Sequence, residues 1–204
     1  MPGAGHWRAM CEASARMVHF PNPSDTMPAL RLFAVATLLL VAACSRGGRK
    51  SARDLAPATT ARVQLHNVGG GSVGEATLQQ TPAGVLLTAD LSGLPAGTHG
   101  IHVHAIGRCE PDFAAAGPHF NPGNRAHGAR NPGGKHAGDL TNIHVPETGA
   151  LRVELLMPDI ALSGGPNALL DADGASLVVH ALADDYSTDP AGGSGARIAC
   201  GVVR

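Results

Sequence analysis

Residues 99–139 read HGIHVHAIGRCEPDFAAAGPHFNPGNRAHGARNPGGKHAGD, and this stretch constrains the chain more than any other. It opens with His102-Val103-His104. On a β-strand successive side chains point to opposite faces, so these two histidines point the same way and can hold one metal ion. His119, His127, His136 and Asp139 follow in a run broken by Gly, Pro and Asn. Such a run suits neither a helix nor a ladder strand and predicts a long ordered loop. Loops of that length usually have a functional reason, and here the imidazoles and one carboxylate point to a metal.

The rest of the chain offers strands to carry that loop. With 27 Gly and 15 Pro against a single Trp and a single Tyr, short strands joined by punctuated turns fit better than packed helices. Alternating or apolar runs at Arg62–His66, Ser72–Gln80, Gly84–Ala89, Gly100–His104, Ala150–Leu155, Ala175–His180 and Ala196–Val202 read as strands. No stretch keeps a helical period over three turns. About seven or eight short strands with long excursions predict a β-sandwich or a Greek-key barrel. From Ala61 onward the chain carries 13 acidic residues against 8 basic ones, so long-range attraction to nucleic acid or to an anionic membrane surface is not expected.

Upstream, Arg31 precedes an apolar run from Leu32 to Ala43. That run is too short to span a bilayer but suits the core of a secretory signal peptide, for which Met27 is a natural start. Val41-Ala42-Ala43-Cys44 resembles a bacterial lipoprotein processing site, where the cysteine becomes the lipidated first residue; ordinary cleavage near Ala43 is the alternative. The expected organisation is an extension with signal over 1–44, a flexible tether over 45–60 and one folded domain over 61–204. In that domain Cys109 and Cys200 are either two buried thiols or one disulfide. Export to an oxidising compartment favours the disulfide, which by closing so long a loop would stabilise by roughly 4–5 kcal/mol.

The histidines divide by context. His66 and His144 sit on a strand edge and near a turn and read as solvated or structural. His102, His104, His119 and His180 could supply four nitrogens to one ion. His127, His136 and Asp139, with one shared residue, could close a second, tetrahedral site. Three histidines and a carboxylate without a thiolate suit zinc, and an all-imidazole site suits copper.

The segments HGIHVHAIG, GPHFNP, GKHAGDL, LVVHALADD and GARIACGVV then carry a resemblance. In their order and internal spacing they are similar to the motifs of copper/zinc superoxide dismutases. From Ala61 to Arg204 the chain resembles the exported bacterial members of that family. The resemblance implies an all-β fold, an eight-stranded Greek-key β-barrel or sandwich with a long metal-binding loop and a short electrostatic loop. It implies that His102, His104 and His180 bind copper, that His119 bridges copper to zinc, and that His127, His136 and Asp139 complete the zinc site. Arg197 matches the arginine that docks superoxide, and Cys109 with Cys200 matches the family disulfide. Asp184 matches a carboxylate that hydrogen-bonds one copper histidine and one zinc histidine, here His102 and His127. His99 and Gly100 match residues that support the strand beneath the copper, whereas Asp185 reads as a solvated acid.

The implied activity is superoxide dismutation by copper(II)/copper(I) cycling, with His119 handling a proton and Arg197 binding the anion. A reading of another class is a non-catalytic extracytoplasmic copper- or zinc-binding module. Retention of His102, His104, His119, His180 and Arg197 together favours the enzyme. The implied location is the periplasm or cell envelope, with a lipid anchor on Cys44. A homodimer and a monomer both fit, and a copper-loading partner is implied without being identified. One departure stands out. ALADDYSTDPAGGSGA, between His180 and Arg197, is shorter than its animal counterpart and contains no lysine, and Leu182 stands where animal enzymes carry one. Steering of superoxide would then fall to Arg197, or to Arg108, Arg125, Arg130 and Lys135 of the metal loop.

Overall fold

The computed structural model describes residues 60–204, so the expected signal segment, Cys44 and the tether expected over 45–60 lie outside the described residues except for Thr60, which opens β1 instead. Alternation sets the first strands. In β1 (Thr60–Asn67) Ala61, Val63 and Leu65 turn inward, while Arg62, Gln64 and His66 face out. β2 (Ser72–Thr81) and β3 (Gly84–Leu91) continue the meander, joined by a tight turn in which the Thr81 hydroxyl donates to Gly84 O at 2.9 Å. Two short strands, β4 (Gly97–His99) and β5 (Ile101–His104), flank Gly100. β6 (Ile143–Val145), β7 (Leu151–Met157), β8 (Ser176–His180) and β9 (Arg197–Val202) follow.

Seven of these strands form one antiparallel sheet in the order β5-β8-β9-β1-β2-β3-β7, and β4 pairs with β6 in a second sheet. Neighbours far apart in sequence, such as β3 with β7 and β5 with β8, are the mark of Greek-key connections. The all-β expectation holds. Counting β4 and β5 as one run bent at Gly100 gives the expected eight strands, because β6, absent from the sequence reading, takes the remaining place. β6 is only three residues long, too short for its alternation to show in the sequence. Among the described residues the helical structure is one 3-10 turn, Phe113–Ala116, capped by Asp112, whose carboxylate accepts from the Ala114 N–H at 2.9 Å.

The inward faces build one aliphatic core. Val63, Leu65, Val85, Leu87, Ile101, Val103, Leu162, Leu169 and Val179 are all fully buried, and burial of each such side chain contributes about 1.5–3 kcal/mol.

Two features of this frame set up the functional site. First, β5 lies at an edge of the large sheet, and the long loop covers that edge. Val103 N–H donates to Gly138 O at 3.0 Å, and Phe120 N–H donates to Val103 O at 2.8 Å. The loop can lie this close because residue 138 is glycine: a Cβ there would collide with Val103 O. Second, β8 and β9 are in register until a bulge at Val179/His180, where His180 pairs with Arg197 and Ile198 is skipped. Bulges re-aim side chains, and this one brings His180 and Arg197 opposite each other.

Replacing Leu87 with alanine should cost about 2–5 kcal/mol in urea unfolding. Leu156→Ala, on a side chain 52 % exposed, should stay within about 0.5 kcal/mol. Equal losses would mean that the core is not where these strands place it.

Candidate metal centre

β5 supplies His102 and His104, both with no solvent exposure, while Ile101 and Val103 alternate into the core. The bulge between β8 and β9 brings in His180. The loop stitched to the β5 edge delivers His119 beside His104 and Asp139 beside His102, each as an isolated antiparallel bridge. Three groups of donor atoms result, each with its donors within 4.8 Å of one another: His102/His104/His119/His180, the first, His119/His127/His136/Asp139, the second, and His102/His127/Asp184, whose carboxylate is taken up by hydrogen bonds. His119 belongs to the first two.

Hydrogen bonds decide which nitrogen of each ring remains available. Asp184 accepts from His102 Nε2 at 2.8 Å and from His127 Nε2 at 3.0 Å, and because a carboxylate only accepts, both Nε2 atoms carry the proton. The opposite nitrogens, His102 Nδ1 and His127 Nδ1, are buried without a hydrogen-bond partner, as is His119 Nε2. His127 Nδ1 lies 3.1 Å from Asp139 Oδ1, but not in hydrogen-bonding geometry. His104 Nδ1 faces Gly117 O at 2.8 Å and His180 Nδ1 faces Gly195 O at 3.2 Å, which puts the proton of each neutral ring on Nδ1. Their bare Nε2 atoms then meet at 3.4 Å. Two lone pairs facing each other, with a third on His119 Nε2 and a fourth on His102 Nδ1, form a donor set suited to a metal cation.

The second group fits an ion as well. Asp139 Oδ1 lies 2.8 Å from His119 Nδ1, 3.1 Å from His127 Nδ1 and 3.1 Å from His136 Nδ1. A tetrahedral zinc ion with bonds of about 2.0–2.1 Å separates its donors by about 3.3 Å, close to these spacings. Asp139 is aimed by backbone: its Oδ2 accepts from Gly128 N–H at 2.9 Å and from His136 N–H at 3.0 Å.

Burial keeps His104, His119 and His180 neutral. Desolvation, with smaller contributions from neighbouring rings and Arg197, pushes His104 down to about 2 and His180 to about 3. Desolvation pushes His119 to about 4, against the opposing pull of its bond to Asp139. The carboxylates go the other way from what burial alone would do. For Asp184 burial raises the value, but hydrogen bonds from His102, His127 and Tyr186 outweigh it and bring it to about 2. For Asp139 burial is likewise outweighed, by His119 and the Gly128 N–H, and the group sits well below the usual carboxylate range.

The remaining expected residues fall around this centre. Arg197 donates from Nη1 to Phe113 O at 2.5 Å and from Nη2 to Gly117 O at 2.7 Å, sharing the latter carbonyl with His104. Cys109 and Cys200 form a disulfide, tying the start of the long loop to β9 three residues beyond Arg197. His99 is buried between His180 O at 2.8 Å and Pro95 O at 2.9 Å, so it braces the backbone. Gly100 packs on Ser194, His102 and Asp184, where a Cβ would be tight. Asp185 is exposed and caps Ser187 and Thr188, and His66 and His144 are exposed. Of the loop cations, Lys135 pairs with Asp159 at 3.4 Å, Arg130 lies over Tyr186, and Arg108 lines a groove shared with Arg62 and Arg204. Arg125 is exposed on a turn held by Asn121.

Sequence reasoning missed three residues here. Asp189 accepts from the His127 N–H at 2.5 Å, Asn142 brackets the Asp184 backbone, and Tyr186 bonds both Asp184 and Asn142. Polar residues in loops carry no periodic signal, and these contacts span at least 42 positions apart from the local Tyr186–Asp184 bond.

A pH dependence follows. Unfolded histidines take up protons near pH 6.5, whereas His104, His119 and His180 resist until about 4 or below. Through that window the unfolded chain binds more protons, so stability falls as pH is lowered. The urea midpoint of the metal-free protein should drop as the pH is taken from 7 to 4. A flat or rising midpoint would contradict the burial of neutral rings.

Comparison with known proteins agrees with this geometry. The sequence profile of the family described as copper/zinc superoxide dismutase (SODC) matches residues 72–203. A relative named superoxide dismutase [Cu-Zn] 1, from Aquifex aeolicus, is 46 % identical over 141 residues, covering 68 % of this chain and 83 % of its own. A superoxide dismutase [Cu-Zn] from Caulobacter vibrioides is 46 % identical over 139 residues, covering 66 % and 80 %. The crystal structure of a SOD-like protein from Bacillus subtilis superposes with a TM-score of 0.67 at 41 % identity, covering 69 % of this chain and 96 % of that one. The chain belongs to the copper/zinc superoxide dismutase family.

Proposed function

We propose that this protein is a superoxide dismutase acting outside the cytoplasm, converting two superoxide anions and two protons to dioxygen and hydrogen peroxide. The observation that carries the reading is His119, whose two nitrogens face two separate donor groups with Arg197 beside one of them. Copper, held by His102, His104, His119 and His180, would supply the one-electron chemistry, and zinc, held by His119, His127, His136 and Asp139, would be the structural ion. The nitrogens left without a hydrogen-bond partner, His102 Nδ1 and His119 Nε2, and the facing His104 Nε2 and His180 Nε2 would be the donors of the first set. The donors facing Asp139 Oδ1, the Nδ1 atoms of His119, His127 and His136, would complete the second.

The chain's own groups then divide the remaining work. Arg197 is always protonated, and its planar head, held on two carbonyls, offers its outward N–H groups to a small anion beside His104 and His180. Fixed donors need no reorganisation when charge builds on the bound dioxygen species. His119 Nε2 can hold a proton whenever it is not a ligand and hand it to the product, while Nδ1, facing Asp139, keeps the ring in place. Asp184 fixes the tautomers of His102 and His127 together. The disulfide and the Arg197 contacts converge on residues 109–117, which makes the substrate-binding arginine part of the loop's anchorage.

The location belongs to the same reading. A disulfide suits an oxidising compartment, and the apolar run before Cys44 supports export with a lipid anchor in the periplasm or cell envelope. Mass spectrometry of the mature protein tests this, with the lipidated N-terminus expected at Cys44. Retention of Trp7 would exclude the anchor. A monomer and a homodimer both fit the family, and delivery of copper by a partner is a further part of the proposal that rests on the family alone.

The decisive test is the dismutation rate of the oxidised protein loaded with copper and zinc, against a zinc-only control. The rate should appear only with copper and should fall as salt is raised, since Arg197 attracts an anion. Arg197→Ala should keep both metals and lose about tenfold in rate, whereas His180→Ala should lose copper and nearly all activity. Stoichiometric copper without activity would instead identify a metal-binding module.

A further inference from the structure

The donor groups, Arg197 and Asp184 are accounted for by the proposed reading, but Tyr186 is not. It is the only tyrosine in the chain. It is also one of two non-glycine residues with positive φ among those described, at 63°. A bulky side chain in the left-handed region persists only where its surroundings hold it there. Four contacts do so. Its N–H donates to Asp184 Oδ1 at 2.6 Å, and its carbonyl accepts from the Arg130 N–H at 2.9 Å. Its phenol oxygen accepts from the Asn142 N–H at 2.8 Å, and the Arg130 guanidinium lies 5.4 Å from the ring centre.

These contacts bind two separate stretches of chain. Arg130 and Asn142 bracket the segment that carries His136 and Asp139, and His127 stands just before it. Tyr186 and Asp184 belong to the segment between β8 and β9. Asn142 completes the link, with Nδ2 donating to Asp184 O at 2.9 Å and Oδ1 accepting from the Asp184 N–H at 2.8 Å. The Tyr186 carbonyl also presses on Gly128, where φ is +93° and a Cβ would collide with it. The left-handed turn lets the N–H point back to Asp184 while the carbonyl and the ring reach the other segment.

We propose that Tyr186 is a positioning residue: a strap between these segments that sets the angle at which the Asp184 carboxylate holds His127. The inference rests on the reading of His127 as a zinc donor. Its effect falls on one half of the centre. His102, the other partner of Asp184, lies on β5 and is also held by pairing with β8. His127 lies on the loop, where its ring direction depends on Asp184 Oδ1 and its backbone on Asp189. Losing the strap should therefore loosen zinc and leave copper alone.

The test uses the full chain loaded with copper and zinc. On challenge with a chelator, Tyr186→Phe, which removes only the hydroxyl, should release zinc about fivefold faster, the worth of one typical hydrogen bond. Copper release should be unchanged. With cobalt in the zinc half, the visible bands of the variant should differ from the parent's. Asn142→Ala should accelerate zinc release too, and the double variant should fall short of the product of the two effects, because both act on Asp184. Coupling is reciprocal, so selective removal of zinc from the unaltered protein should weaken the near-ultraviolet circular dichroism of the sole tyrosine. Zinc release equal to the parent's, equal acceleration of zinc and copper, or a tyrosine signal indifferent to zinc would each overturn the strap. A parent protein that binds no zinc at all would overturn the site reading beneath it, which separates the two failures.

Discussion

The exposed edge of β5 is the constraint on which the centre depends. An edge strand presents N–H and C=O groups that must find partners, and burying two histidines on it removes water as a candidate. The long loop supplies those partners through Gly138 and Phe120, and in doing so brings His119 and Asp139 against His104 and His102. Backbone satisfaction and metal-site assembly are thus one event. The loop needs no regular structure of its own, because the strand it covers imposes the register.

Electrostatics divides the centre into two unlike halves. The half with His104 and His180 is buried and has Arg197 at its rim, so burial holds these two rings neutral and leaves their lone pairs bare. The other half contains Asp139, and Asp184 lies behind both halves, each carboxylate held ionised by imidazole and backbone donors despite burial. One half carries no fixed negative charge among its donors, and the other carries one. An ion that must change charge is better placed in the first, where no anionic ligand ties it to one oxidation state. An ion of constant charge suits the second.

Much of this was legible in the sequence, for reasons that differ by residue. His102 and His104 declared themselves because a strand's two-residue period puts them on one face. His119, His127, His136 and Asp139 stood out because Gly and Pro around them excluded helix and ladder. The principal strands followed from alternation and turn residues, whereas β4 and β6, each of three residues, were too short to alternate visibly. The bulge that places His180 opposite Arg197 leaves no trace in composition. Asn142, Tyr186 and Asp189 were invisible because their importance lies in backbone contacts between loops distant in sequence. Arg108, Arg125, Arg130 and Lys135 could be named as cations, but which partners they meet is a property of the folded surface.

One carbonyl, that of Gly117, receives both the His104 ring and the Arg197 guanidinium. In the proposed reading, the group offered to the substrate and a group offered to the metal are therefore both held on a single oxygen atom. In that reading the 113–117 turn sets both positions at once, so a change in that turn would move the anion-binding group and a metal-binding group together.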